Sequence, residues 1–149
     1  MSYERNGETD CVEGAATELR PVGVVRSPFS SREECPRQGD KGGADGVVHI
    51  FPEFSEALDG VEEGDEVLIL TWLHLADRKV LKVHPRGDRA APLRGVFSTR
   101  SPDRPNPVGV HRVTVRERRG LSLTVFPLEA VDGTPVLDIK SVRRDGREG

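Results

Sequence analysis

"VGVHRVTVRERRGLSLTVFPLEA" (Val108–Ala130) decides the fold. Valines at every second position, broken by a polar "RERRG" and resumed in "LSLTVF", read as two antiparallel strands reversing at Gly120. Val108 and Val110 share one face, while Val113 and Val115 fall on the opposite phase. That slip predicts a β-bulge near His111-Arg112, the device that bends strands until a sheet can close.

Outward from this hairpin the punctuation stays that of a β protein. "PVGVVRS" (21–27) is an expected first strand, and "GVVHIF" (46–51) a second. "PEFSEALDG" (52–60) has Pro52 where a short helix opens and Gly60 where it stops. "DEVLILTWLHLAD" (65–77) opens with an apolar, β-branched run expected to be a central strand. "KVLKVHPRGD" (79–88) and "GVFSTR" (95–100) read as short strands, and "VDGTPVLDIK" (131–140) as a tight turn and a last one. Sixteen glycines and eleven prolines suit many turns and exclude a bundle of long helices. The expected fold is mainly β: a small closed or nearly closed antiparallel barrel with one short helix and long loops. Residues 1–18 read as a disordered acidic leader, 19–142 as the barrel domain and 143–149 as a short basic tail. No Gly-rich loop joins a strand to a helix, so neither a dinucleotide fold nor a P-loop is offered.

The formal charge of −3 argues against indiscriminate nucleic-acid binding, yet it averages unequal segments. The last ten residues alone hold four bases against two acids. Cys11 and Cys35 supply neither a disulfide framework nor, by themselves, a thiolate metal site. His49, His74, His84 and His111 show no recognised ligand spacing, so no metal is expected. With no apolar run of the roughly 20 residues that span a bilayer and no signal-peptide pattern, a cytoplasmic protein without membrane contact is expected.

"TRSPDRPNPVGVHR" (99–112) packs three prolines and three arginines into fourteen residues. Pro102, Pro105 and Pro107 leave the loop few conformations to lose when something binds. Arg100 and Arg104 are expected to project from it, and Asn106 to hydrogen-bond backbone or ligand. Such a loop suits something anionic or planar; a rigid connector with solvated arginines has the same composition.

"FSTRSPDRPNPVGVHRV" (97–113) with "DGTPVLDIK" (132–140) resembles the two signatures of the TsaA-like (TrmO) family of β-barrel methyltransferases. "PVGVVRSPFSSREECPRQGD" (21–40) is similar to that family's opening strand and Pro-Arg-Gln loop, and "LTWLHLAD" (70–77) to its Trp-containing strand. The resemblance implies S-adenosyl-L-methionine as cofactor, a homodimer, and N6-methylation of threonylcarbamoyl-adenosine in the anticodon loop of tRNA. Position by position it implies cofactor contacts at Pro36, Arg37, Gln38, Asp77, Arg78, Arg100, Val110, Val131, Asp132 and Gly133. Arg104, Asn106 and Lys140 are the candidate substrate contacts. Asp138 is the candidate base for the nitrogen's proton, with Lys140 beside it to tune it or to meet phosphate. A structural strand aspartate paired with that lysine is the plain alternative. A small-molecule or other RNA acceptor, and a non-catalytic nucleotide-binding barrel, stand as rival functions. Trp72 is read as core rather than as a base-stacking platform. The last signature ends without the Pro-Tyr of the family, and Arg143, Arg144 and Arg147 are left to meet phosphate or solvent.

Overall fold

The expected hairpin consists of β6 (Val108–Arg119) and β7 (Ser122–Phe126), and it reverses at Gly120 with a φ of +58°. The remaining barrel strands are β1 (Gly23–Arg26), β2 (Gly46–Ile50), β3 (Glu66–Trp72) and β8 (Pro135–Ser141). These six antiparallel strands form a closed ring in the order β1-β2-β7-β6-β3-β8. The seam between β1 and β8 rests on two residue pairs, Gly23 with Val136 and Val24 with Pro135. This is a computed structural model, and it describes residues 16–35 and 43–142.

The bulge lies elsewhere than the valine phase predicted. β3 and β6 pair without a break from Glu66 with Thr114 to Trp72 with Val108, so nothing slips at His111-Arg112. Val108 and Val110 face outward, 38% and 37% exposed, while Gly109, Val113 and Val115 are buried. The inward phase at the start of β6 therefore belongs to Gly109 and His111. The cause is crowding: a Cβ on Gly109 would stand 2.4 Å from Thr71 Oγ1 and 2.9 Å from His111 Nε2. Register shifts do occur between Val115 and Glu117 against β7, and between Leu70 and Thr71 against β8. The second shift turns Asp138 outward opposite Leu70 while Val136 still packs inside opposite Thr71.

Val25, Val48, Ile69, Val115, Leu123, Val125 and Val136 are wholly buried and fill the ring. Each such side chain contributes about 1.5–3 kcal/mol by leaving water. An interior of six strands, fewer than the eight whose side chains just fill a barrel, has no room for a ligand. Leu58 closes one end from a 3-10 helix, Pro52–Leu58, which Pro52 opens as expected. Arg118 holds that helix to the hairpin, its Nη1 donating to the carbonyls of Leu58 and Val61 at 2.8 and 2.7 Å.

The other end carries the β1–β2 connection, the β7–β8 connection and the long passage from β3 to β6. Within that passage the two expected strands shrink to a separate ribbon, β4 (Lys82–Val83) with β5 (Arg94–Gly95). Val96–Ser98, expected as strand, is a 3-10 turn whose Val96 is buried. Phe97 within it and Leu81, whose carbonyl accepts the Val96 amide, have no second sheet to lie on and stay exposed, so no longer ladder grows there.

Candidate functional site: the loop crown

Three arginines tie the crown together. Arg104 donates from Nε to the Ser101 carbonyl at 2.8 Å and from Nη2 to the carbonyls of Val96 and Thr99. Its guanidinium is turned back into its own loop, where it replaces the backbone donors that the prolines lack. Arg78 stacks over the Trp72 ring at 5.0 Å and donates to the Pro105 carbonyl at 2.7 Å and to Asn106 Oδ1 at 3.2 Å. Trp72 is thus half-buried on the barrel's outer face under a cation, neither core nor an open platform. Arg32, from the β1–β2 connection, reaches Asp103 at 3.1 Å and the Leu75 carbonyl at 3.3 Å. Asp103 also accepts the Asp77 amide at 2.8 Å. Burial alone would raise the Asp103 carboxyl, but the Arg32 bond, the Asp77 amide and the Arg32 charge together hold it below the usual range.

The β7–β8 turn is built as tightly. Ser27 Oγ donates to the Ala130 carbonyl at 2.6 Å, and the Ser27 amide to Asp132 Oδ1 at 3.1 Å. Gly133 sits at a φ of +87°, which a β-carbon disfavours, and its amide donates to the Val25 carbonyl at 2.8 Å. Among the described residues Asp132 Oδ2 has only a long ion pair to Arg26, at 3.8 Å, and the side chain remains exposed.

Arg100 differs from the other crown arginines. It donates one hydrogen bond, from Nη2 to the Val110 carbonyl at 3.2 Å, and makes no ion pair among the described residues. Beneath it, Thr71 Oγ1 and His111 Nε2 lie 2.9 Å apart. Burial, helped by the Arg100 charge, pushes His111 down to about 4, so the ring is neutral at neutral pH. A neutral imidazole under Arg100 keeps that guanidinium the local charge.

The sequence-predicted residues therefore fall into groups. Arg100, Val110 and the Val131–Gly133 turn lie at the crown end. Asp77, Arg78, Asn106 and Arg104 are engaged in holding its loops; Asp77 Oδ1 accepts the Lys79 amide at 2.9 Å. On the outer face, Val110, Leu70 and Asp138 form one row across three strands, roughly 10 Å from end to end at the usual strand spacing. Lys140 lies one row away, opposite Leu68, its Nζ 3.8 Å from Asp138 Oδ2. Pro36, Arg37 and Gln38 lie outside the described residues, as do Arg143, Arg144 and Arg147. Residue patterns missed Arg32, Asp103 and the Thr71–His111 pair. The one available signal was that His111 shares the inward phase with Gly109.

A cleft of about 480 Å³ opens at the opposite end of the barrel, over Val22, Phe54, Leu58 and Val61. Its acids are engaged: Glu66 with Arg112 at 2.7 Å, Asp65 with the Glu62 amide at 2.9 Å, and Asp138 with Lys140. Its charged lining groups among the described residues are thus all paired. Among the described residues no His, Cys, Asp and Glu group is placed to hold a metal, and no helix is long and apolar enough to cross a membrane.

With this geometry in hand, similarity to known proteins is informative. A probable S-adenosyl-L-methionine-binding protein of Methanothermobacter thermautotrophicus is 52% identical over 127 residues, covering 85% of this chain and 90% of that protein. An S-adenosyl-L-methionine-binding protein of Archaeoglobus fulgidus is 43% identical over 122 residues, covering 82% and 86%. The crystal structure of TrmO from Pseudomonas aeruginosa superposes with a TM-score of 0.68 at 31% identity. It is covered over 91% of this chain but only 62% of its own, so this chain spans less than two thirds of that protein. The tRNA-methyltransferase O N-terminal domain matches residues 24–145, and the chain belongs to that family.

Proposed function

We propose that the crown binds S-adenosyl-L-methionine and that the protein is a methyltransferase acting on N6 of threonylcarbamoyl-adenosine in the tRNA anticodon loop. The observation that carries this reading is Arg100: an exposed guanidinium with open donors, standing over a neutral histidine at the end of a barrel whose interior is full. Arg100 pairs through its planar fork with the cofactor's carboxylate. Asp132 accepts from its amine or a ribose hydroxyl, Gly133 admits close backbone approach, and Val110 offers an apolar wall. Pro36, Arg37 and Gln38, which lie outside the described residues, are assigned as further cofactor contacts. Asp77, Arg78, Arg104 and Asn106 act by fixing the loops on which these groups stand.

S-adenosyl-L-methionine held by Arg100, Asp132 and Gly133 would supply an activated methyl group for transfer to the acceptor nitrogen, with its sulfur as the leaving group. The chain's contribution is alignment and removal of the proton lost from nitrogen. Asp138, on the same outer row as Val110, takes that proton, and Lys140, its Nζ 3.8 Å from Asp138 Oδ2, faces the phosphate of the acceptor. The apolar outer row of Val108 and Val110 is the surface on which two copies associate as a homodimer.

Purified protein incubated with the cofactor and tRNA that carries threonylcarbamoyl-adenosine but lacks its N6-methyl group, followed by mass spectrometry of the digested nucleosides, tests the reading. A methyl added to threonylcarbamoyl-adenosine supports it. Cofactor binding without that product leaves an S-adenosyl-L-methionine-binding protein with another acceptor and overturns the tRNA assignment.

A further inference from the structure

We propose that the β4–β5 ribbon is a nucleic-acid-docking arm that grips the phosphate backbone of the RNA beside the crown. This inference rests on the tRNA-directed reading above and assigns a surface to it. Residues 78–100 hold seven bases, Arg78, Lys79, Lys82, Arg86, Arg89, Arg94 and Arg100, against one acid, Asp88. The remainder of the chain then holds fifteen bases against twenty-four acids, so a net-acidic protein carries one strongly cationic limb. All seven bases are exposed.

Lys79, Lys82, Arg89 and Arg94 make no side-chain ion pair among the described residues. The only acid nearby within the limb is occupied structurally, Asp88 Oδ1 accepting the Ala90 amide at 2.9 Å. The tip is fixed by His84 Nδ1 against the Ala91 carbonyl at 2.9 Å, so the cations stand on an ordered turn. Beside them Phe97, Leu81 and Leu93 are 85%, 66% and 55% exposed. An aromatic ring left in water next to unpaired cations fits a base-and-phosphate ligand: the cations release counterions and the ring stacks on an unpaired base. The limb also leads directly to the site. The Val96 amide donates to the Leu81 carbonyl at 2.9 Å, and Arg104 clamps the Val96 carbonyl, so ribbon and proline loop share one root.

The test is fluorescence anisotropy of the full chain with a labelled anticodon stem-loop RNA across a salt series, beside calorimetric titration of cofactor. Replacing Lys82, Arg89 and Arg94 together by Ala is expected to lower the slope of log affinity against log salt by about 0.7–0.9 per lost contact, with cofactor affinity unchanged. Phe97→Ala is expected to weaken RNA binding about 5- to 100-fold with the slope kept. Wild-type RNA binding that neither variant alters overturns the arm and leaves the tRNA reading standing. Absence of RNA binding by the wild type, with cofactor still bound, overturns both. Binding of the ribbon to anionic lipid vesicles but not to RNA overturns it in favour of a membrane surface. Dissociation of a dimer by Phe97→Ala, with RNA affinity intact, makes a second copy the occupant and overturns it equally.

Discussion

The barrel and its crown are held together by different physics. Inside the ring, valines, isoleucine and leucine are stripped of water, and polar exceptions such as Thr71 are paired. In the crown few side chains are buried, and arginine guanidiniums bridge carbonyls and one carboxylate at the surface. Burial is cooperative and intolerant of change. Solvent-screened hydrogen bonds each add little but fix direction well. The molecule thus separates a stable scaffold from a shaped but replaceable rim, which lets binding chemistry vary without unfolding the protein.

Substitutions in the two regions sharpen that contrast. Ile69→Ala is expected to cost about 2–5 kcal/mol in denaturant melts, because the ring cannot collapse around the void. A crown substitution that costs more than Ile69→Ala would break the distinction. Acid acts next, through His111. The unfolded imidazole takes up a proton below pH 6.5, while the folded one refuses it until about pH 4. Stability is therefore full above pH 6.5 and falls as pH drops towards 4, by about 3 kcal/mol in the limit. Melts at pH 7 and 4.5 should show this fall in the wild type and a smaller one in His111→Gln.

Crown substitutions come lower. Arg104→Ala removes the donor for three carbonyls and should cost about 1–3 kcal/mol. It should also loosen the loop to proteolysis and weaken cofactor binding, whereas an undisturbed loop would show that the prolines suffice. Arg32→Ala breaks an exposed pair with Asp103 and should cost less than about 1 kcal/mol.

The sequence was readable where one physical cause dominated. Period-2 valines and Gly120 placed the hairpin, and Pro52 with Gly60 bounded the 3-10 helix correctly. It misled where apolar character and inward direction part company. Val108 and Val110 look like core but lie outside, because Thr71 and His111 fill the space that a second row of valines would need. The strands expected around Lys82 and Gly95 shrank to a two-residue ladder, since their alternation had no second surface to pack on. In the crown, composition marked the arginines but not their direction. Arg104 and Arg100 are four residues apart with the same chemistry, yet one is consumed by its own loop and the other keeps open donors. Only the fold decides which carbonyls come within reach.

Calorimetric titration of Arg100→Ala with S-adenosyl-L-methionine tests the central claim most directly. Loss of the open guanidinium should weaken binding at least about tenfold, near 1.4 kcal/mol, with the melting temperature unchanged. Wild-type affinity in that variant would contradict the assignment of the crown as the cofactor site.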